Sequence, residues 1–367
     1  MAKLRVAIVG LGFGSEFIPI YQNHPDVEMY AICQRNKDSL GKIGDAFGVN
    51  VRYSSYEELL KDPKIDAVHI NSPIPDHAGQ SIAALNAGKH VACTVPMATS
   101  VEDCKKIVDA QNKSKKVYMM METVVFSREF LYVKDLVDSG KLGRIQFMRG
   151  CHQQDMAGWP GYWEGLPPMH YATHAVSPLL ALANKQAQSV VCFGSGKIDD
   201  NLVKKYNSPF AVETALIRLR DSNLAAEITR SLFETVRQYV ESFDIYGDKL
   251  TFEWHQTDGE EPVLHTGGEN ARRVNIPDYA SRLPEGIRKF TTKGVYDMQE
   301  NVHLSFKQGS GHGGSHPHLA HEFVRAIVEN RKSFVDGPIA ANWTSVGICA
   351  HQSAMKGGEM VQIPDFS

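Results

Sequence analysis

The chain of 367 residues contains no apolar run of the ~20 residues a helix needs to cross a bilayer, which argues against a membrane partner. It also lacks any Cys-x-x-Cys pair. Cys33, Cys93, Cys104, Cys151, Cys192 and Cys349 are scattered through a chain too long to need disulfide staples, and buried reduced thiols are expected. There is no excess of positive charge. A formal net charge of −3 offers no broad basic field, so nucleic acid is not an expected partner and a small molecule is. Met1-Ala2-Lys3-Leu4-Arg5 runs straight into strand-like residues where a secreted chain would carry an apolar signal core, so a cytoplasmic location is expected. What is present, 43% hydrophobic and 22% charged residues, suits two globular domains with sizeable cores.

The first informative stretch is Leu4-Arg5-Val6-Ala7-Ile8-Val9-Gly10-Leu11-Gly12-Phe13-Gly14-Ser15. An apolar strand breaks at glycines and resumes as a helix, so backbone N–H groups at the turn point outward and can bind phosphate. Gly10 permits the turn and Gly12 lets a pyrophosphate approach. The third position of the G-x-G-x-x-G/A pattern falls on Ser15, with Gly14 adding flexibility beside it and Phe13 between. Val27–Cys33 reads as a second buried strand. It ends in Gln34-Arg35-Asn36, where a dinucleotide fold normally places an acid to hold the ribose. Gln34 can bond ribose hydroxyls, whereas Arg35 can stack on adenine or meet a 2′-phosphate; NAD is the expected cofactor, with NADP left open.

Strand and helix then alternate through Asp66-Ala67-Val68-His69-Ile70, a helix closed by Gly88, the strand His90 to Pro96, a helix from Ser100 and the strand Lys116 to Met121. Such alternation implies a parallel sheet with its ligand crevice at the carboxyl ends of the strands, where Gly10, Gln34, Ser72, Thr94 and Glu122 fall. After a helix over Arg128–Asp138, runs near residues 146–149, 189–193, 213–219, 225–229 and 239–246 alternate apolar and polar residues, the pattern of a largely antiparallel sheet. Residues 255–315 read as long loops, and helices return at about 318–330 and 342–355. The expected division is therefore an α/β Rossmann domain over residues 1–122 and an α+β domain over 123–367 for substrate binding and oligomerisation.

At this point the sequence resembles the Gfo/Idh/MocA family of nicotinamide-dependent sugar and cyclitol oxidoreductases. The matching pieces are Gly10-x-Gly12-x-x-Ser15, Ser72-Pro73-x-x-x-His77, Ala84-Leu85-Asn86-Ala87-Gly88-Lys89-His90-Val91 and Thr94-Val95-Pro96-Met97-Ala98. The family's Glu-Lys-Pro is replaced by Thr94-Val95-Pro96, so the lysine near the nicotinamide is gone. The family's Asp four residues before a His becomes His170-Tyr171-Ala172-Thr173-His174. In that spacing, and in Val-Pro, the chain is similar to NAD-dependent glycoside hydrolases of the same superfamily. Met169 to His174 and Gly311-His312-Gly313-Gly314-Ser315-His316-Pro317-His318 resemble more closely the NAD-dependent glycoside 3-dehydrogenases, which include C-glycoside 3-oxidases.

This resemblance implies oxidation of the 3-hydroxyl of a glucoside or glucose, with hydride passed to NAD. A hydrolase running through transient oxidation and a non-catalytic nucleotide-binding protein are the alternatives. A neutral imidazole accepts a proton at cellular pH without large retuning, which makes His174 the expected base, with Tyr171 and His170 next. Ser72, Pro73, His77, Thr94, Val95, Pro96 and Glu122 are expected to line the cofactor site, Val95 packing against the nicotinamide and Glu122 orienting its ribose or a sugar hydroxyl. Asp155, Trp159, Tyr162 and Trp163 offer the apolar faces and carboxylate of a sugar pocket. His312 and His316 are expected substrate contacts. No metal is expected, because His303, His312, His316, His318 and His321 sit among glycines without matched cysteines or carboxylates. The partners expected are a glycoside, a second copy of the chain and, downstream, an enzyme cleaving 3-keto glycosides.

Overall fold

The structure, a computed structural model, describes residues 3–156, 158, 161–268, 270–291 and 312–367. Trp159, His303 and Gly311 lie outside the described residues. Among the described residues, no helix is long and apolar enough to cross a membrane.

Six short strands form the first sheet: β1 (Leu4–Val9), β2 (Val27–Cys33), β3 (Val51–Tyr53), β4 (Ala67–Ile70), β5 (His90–Thr94) and β6 (Tyr118–Met121). All pair in parallel in the order β3-β2-β1-β4-β5-β6. The near-continuous apolar sequence of β1, β4 and β6 follows from this, since a parallel sheet is covered on both faces. The order reverses between β1 and β4, which is where such sheets open their ligand crevice. Local signals set the helices: Ser55 and Ser100 accept the N–H groups of Glu58 and Asp103 at helix starts, and Asn36 does the same for Ser39.

The second sheet has nine strands: β7 (Ile145–Gln153), β8 (Ala187–Ser195), β9 (Val212–Leu219), β10 (Ala225–Ser231), β11 (Val240–Gly247), β12 (Thr251–Glu253), β13 (Val263–His265), β14 (Ala271–Arg273) and β15 (Val361–Gln362). They lie in the order β14-β13-β12-β11-β7-β10-β9-β8-β15. Every pairing is antiparallel except β7 with β10. The expected fold class is observed. Residues 255–315, expected as loops, instead contribute β13 and β14 to the sheet edge, strands of three residues each that are too short to show an alternation.

Compactness divides the chain differently from a cut at 122. One unit comprises Met1–Phe126 with Asp278–Ala341, the other Ser127–Pro277 with Asn342–Ser367. The reason is the helix His316–Val328, whose Leu319, Ala320, Phe323 and Val324 are buried with Val6, Ile8, Phe17 and Tyr21 in one hydrophobic cluster. That amphipathic face completes the first core, so a segment some two hundred residues downstream by numbering belongs to the first unit. In the second unit, Asn342 gives both halves of its amide to Ala187, accepting from its N–H at 2.9 Å and donating to its carbonyl at 3.0 Å.

Candidate active site

In the first unit the glycine turn is shaped by what surrounds it. Gly10 has φ of 82°, and a Cβ there would lie 2.5 Å from the Asn71 carbonyl oxygen, so no other residue fits between β1 and the end of β4. Gly12 is exposed, and nothing lies within 4 Å of an added Cβ; its role is to leave the turn bare. Gly14 is buried, with an added Cβ 2.8 Å from the Ile8 side chain. The close approach of helix to strand is thus made by Gly14, and half-buried Ser15, on the third position of the motif, begins the 3₁₀ turn that follows.

The other expected cofactor residues stand at neighbouring strand ends. Gln34 Oε1 accepts the Leu11 N–H at 3.2 Å and steadies the turn. Arg35 is mostly exposed and 3.9 Å from Asp76. Pro73 precedes the turn Ile74–Asp76, and Ser72 donates to Gln80 at 2.5 Å. His77 is buried, with one ring nitrogen 2.8 Å from the Pro96 carbonyl and the other 2.8 Å from that of Ser72. Burial pulls its pKa down, but the Cys93 sulfur and the two carbonyls outweigh that and raise it to about 9. One side chain therefore ties the loop after β4 to the loop after β5. Thr94 donates to the Ile70 carbonyl at 3.2 Å, Val95 is buried, and Glu122 is buried with Oε1 accepting the Val124 N–H at 3.1 Å.

His312 and His316 also belong to the first unit. His316 Nδ1 is 2.8 Å from Glu16 Oε2, both side chains 1% exposed, and its ring lies edge-on to Phe13. His312 stands 6.0 Å from Phe13, centroid to centroid. Both are therefore neighbours of the glycine turn.

In the second unit a row of polar residues crosses the buried face of the sheet. Glu241 on β11 sits opposite His152 on β7, His152 opposite Arg230 on β10, and Arg230 opposite Glu213 on β9. Each continues an inward-facing series that is otherwise apolar or glycine: Phe243 and Ile245, Met148 and Gly150, Ala226 and Ile228, Ala215 and Ile217. The helix Thr173–Ala183 packs on β7 because Gly150 has no side chain; a Cβ there would be 2.0 Å from the Ala175 carbonyl. Its first turn carries His174, 2% exposed, to 3.6 Å from Glu241 Oε1, while His152 Nε2 is 3.8 Å from the same oxygen. Tyr239 donates its hydroxyl proton to Glu241. The Tyr171 ring lies 5.3 Å from that of His174 and 4.7 Å from Trp163.

Arg230 is fully buried and clamps this arrangement. It donates to the Tyr171 carbonyl at 2.9 Å, the His152 carbonyl at 3.2 Å and Gln154 Oε1 at 3.0 Å; burial lowers its pKa to about 10. His170 does not share the site of His174. Ala172 interrupts the helix between them, and the His170 ring faces His351, which pairs with Glu213 at 2.8 Å. Burial, then the charge of His351, lowers the His170 pKa to about 4. Asp155 is exposed. His152, Glu241, Arg230 and Tyr239 were not singled out in the sequence. Their signal was a polar residue in phase with an apolar alternation, at the same end of three strands.

Such an arrangement can move a proton: the Glu241 charge stabilises the imidazolium formed when His174 accepts one. The first unit offers a bare glycine turn at a topological switch point. Residues 4–122 match a family model, Gfo/Idh/MocA, described as an oxidoreductase family with an NAD-binding Rossmann fold. The first domain is a Gfo/Idh/MocA domain. Beyond this NAD-binding Gfo/Idh/MocA domain, the full chain aligns with a glycosyl hydrolase family 109 protein of Shewanella sp. strain W3-18-1, 24% identical over 398 residues, covering 100% of this chain and 86% of that protein. An alpha-N-acetylgalactosaminidase of Shewanella oneidensis is 23% identical over 407 residues with the same coverage. Levoglucosan dehydrogenase, solved with NADH and levoglucosan, has the same fold: TM-score 0.80 and 21% identity over 99% of this chain and 100% of that one.

Proposed function

We propose that the protein oxidises the 3-hydroxyl of a glucoside or of glucose, passing the carbinol hydride to NAD⁺ and yielding a 3-keto sugar, NADH and one proton. The observation that carries this is His174, buried beside Glu241 and Tyr171, in a chain whose first domain belongs to an NAD-binding oxidoreductase family. His174 takes the hydroxyl proton as hydride leaves, Glu241 balances the charge that appears on the ring, and Arg230 holds the Tyr171 turn in place. Trp163, buried against Tyr171, supplies apolar surface for a sugar ring.

The names of the relatives favour a second reading, in which the ketone is transient and glycosidic cleavage follows. A ketone at C3 acidifies the C2 hydrogen, so cleavage needs a further base and a cofactor retained for return of the hydride. Oxidation that stops at the ketone leaves cleavage to a separate enzyme. Incubation of a glucoside with stoichiometric NAD separates the two. Intact 3-keto glycoside with an equivalent of NADH, both suppressed in His174→Ala, is the expected result; release of free sugar under catalytic NAD without net NADH establishes the hydrolase.

A further inference from the structure

We propose that His152, His174 and Glu241 form a binding site for one divalent transition-metal ion, with zinc the best match. Their ligand atoms all lie within 4.8 Å of one another, on three separate elements, and the two histidines are buried. The spacing is not that of hydrogen bonding. Two other buried histidine–carboxylate pairs among the described residues, His316–Glu16 and His351–Glu213, close to 2.8 Å, whereas the two imidazoles around Glu241 stand at 3.6 and 3.8 Å from one carboxylate oxygen. Those values are beyond hydrogen-bond reach. They lie near the edge of a tetrahedron around zinc, about 3.4 Å for bonds of about 2.1 Å, so a small inward movement completes the coordination.

Chemistry and support agree with this geometry. Two imidazoles and a carboxylate are borderline ligands that suit zinc, and three protein ligands are the number that leaves a fourth position for an outside oxygen. Tyr239 donates to the carboxylate, the kind of outer hydrogen bond that orients a ligand, and the β11–β7 register holds Glu241 opposite His152. Arg230 directs its guanidinium at the carbonyls of Tyr171, His152 and Ser231 and at Gln154.

The consequence for catalysis rests on the oxidation proposed above. With the ion in place, His174 would be a ligand instead of the proton acceptor it is in the metal-free site, and the sugar hydroxyl oxygen would take the fourth position. The bound alcohol releases its O–H proton to solvent and its carbinol hydride to NAD⁺, the products are ketone and NADH, and the metal ends unchanged.

The test is metal binding by the full chain, freed of metal by chelation and then titrated with Zn²⁺ or Co²⁺. One equivalent is expected, with tetrahedral Co²⁺ absorption bands. Glu241→Gln and His152→Ala should each weaken binding about 100-fold or more, while His265→Ala, which removes a half-buried histidine paired with Glu253, should leave it unchanged. The wild-type titration decides the matter even if a variant fails to fold. Failure of the folded, NAD-binding parent to retain either ion overturns the site, and so does glucoside oxidation undiminished after chelation. Stoichiometric binding without any sugar oxidation upholds the site and sinks the proposed reaction instead.

Discussion

Glu16 and His316, from opposite ends of the first unit's chain, meet at 2.8 Å with each side chain 1% exposed. The contact pins the helix His316–Val328 to the segment that follows the glycine turn. Removing one partner leaves the other buried without it. Glu16→Ala should lower the unfolding free energy by about 3 kcal/mol in urea denaturation. The double variant Glu16→Ala/His316→Ala should lose less than the sum of the singles, since the two act as a pair.

The three glycines of the turn should separate folding from binding. Gly10→Ala places a Cβ against Asn71 at a positive φ, and Gly14→Ala meets Ile8, so both should reduce thermal stability. A Cβ added at Gly12 meets nothing within 4 Å. Gly12→Val should melt with the parent yet lose NAD binding, because its side chain occupies the space a pyrophosphate needs. Unchanged NAD affinity in a calorimetric titration of Gly12→Val would place the cofactor elsewhere.

His170 and His174 are four residues apart and should behave differently. His174→Ala is expected to reduce kcat by about 100-fold or more, in line with loss of a group that handles the proton. His170→Gln, on a ring that faces His351, is expected to act chiefly on stability. Equal losses of kcat in the two variants, with both folded, would contradict this division.

Stability should fall on acidification, beginning near pH 6.5. Burial, with a further contribution from the charge of His316, lowers the pKa of His69 to about 3. The unfolded chain takes up a proton at this residue near pH 6.5 and the folded chain does not until about pH 3. The folded state therefore loses about 1.4 kcal/mol per pH unit across that window, and nothing from this source above it. His24, His90 and His318, lowered by burial to about 4, act in the same direction. Denaturation series at pH 7, 6 and 5 should show this, with a shallower slope in His69→Gln, whose amide oxygen can still accept from Tyr21.

The outer face of the second sheet exposes Phe193 and Leu216, 57% and 56% accessible, on the adjacent strands β8 and β9. Exposed apolar residues on a sheet face are a common site of self-association. Light scattering at micromolar concentration should report a dimer or larger, shifted toward monomer in Leu216→Glu.

The order of secondary structure was legible because it is local. The helix Arg128–Asp138 is announced by its apolar spacing and by Ser127, which accepts the Phe130 N–H. Alternating strands and helices with a glycine turn after the first strand dictate a parallel nucleotide-binding sheet. The positions of Gly10, Gln34, Ser72, Thr94 and Glu122 at strand ends follow from the same pattern. Tertiary structure decided the rest. Whether Gly14 or Ser15 lets the helix approach β1 depends on where Ile8 points. His170 and His174 look like helical neighbours until the helix is interrupted at Ala172. His152, Arg230 and Glu241 are scattered along the sequence and become neighbours only through the registers of β7 with β10 and β11. Periodicity tells each strand which face is buried, but register is settled by long-range packing; a slip of one residue would turn Glu241 away from His152.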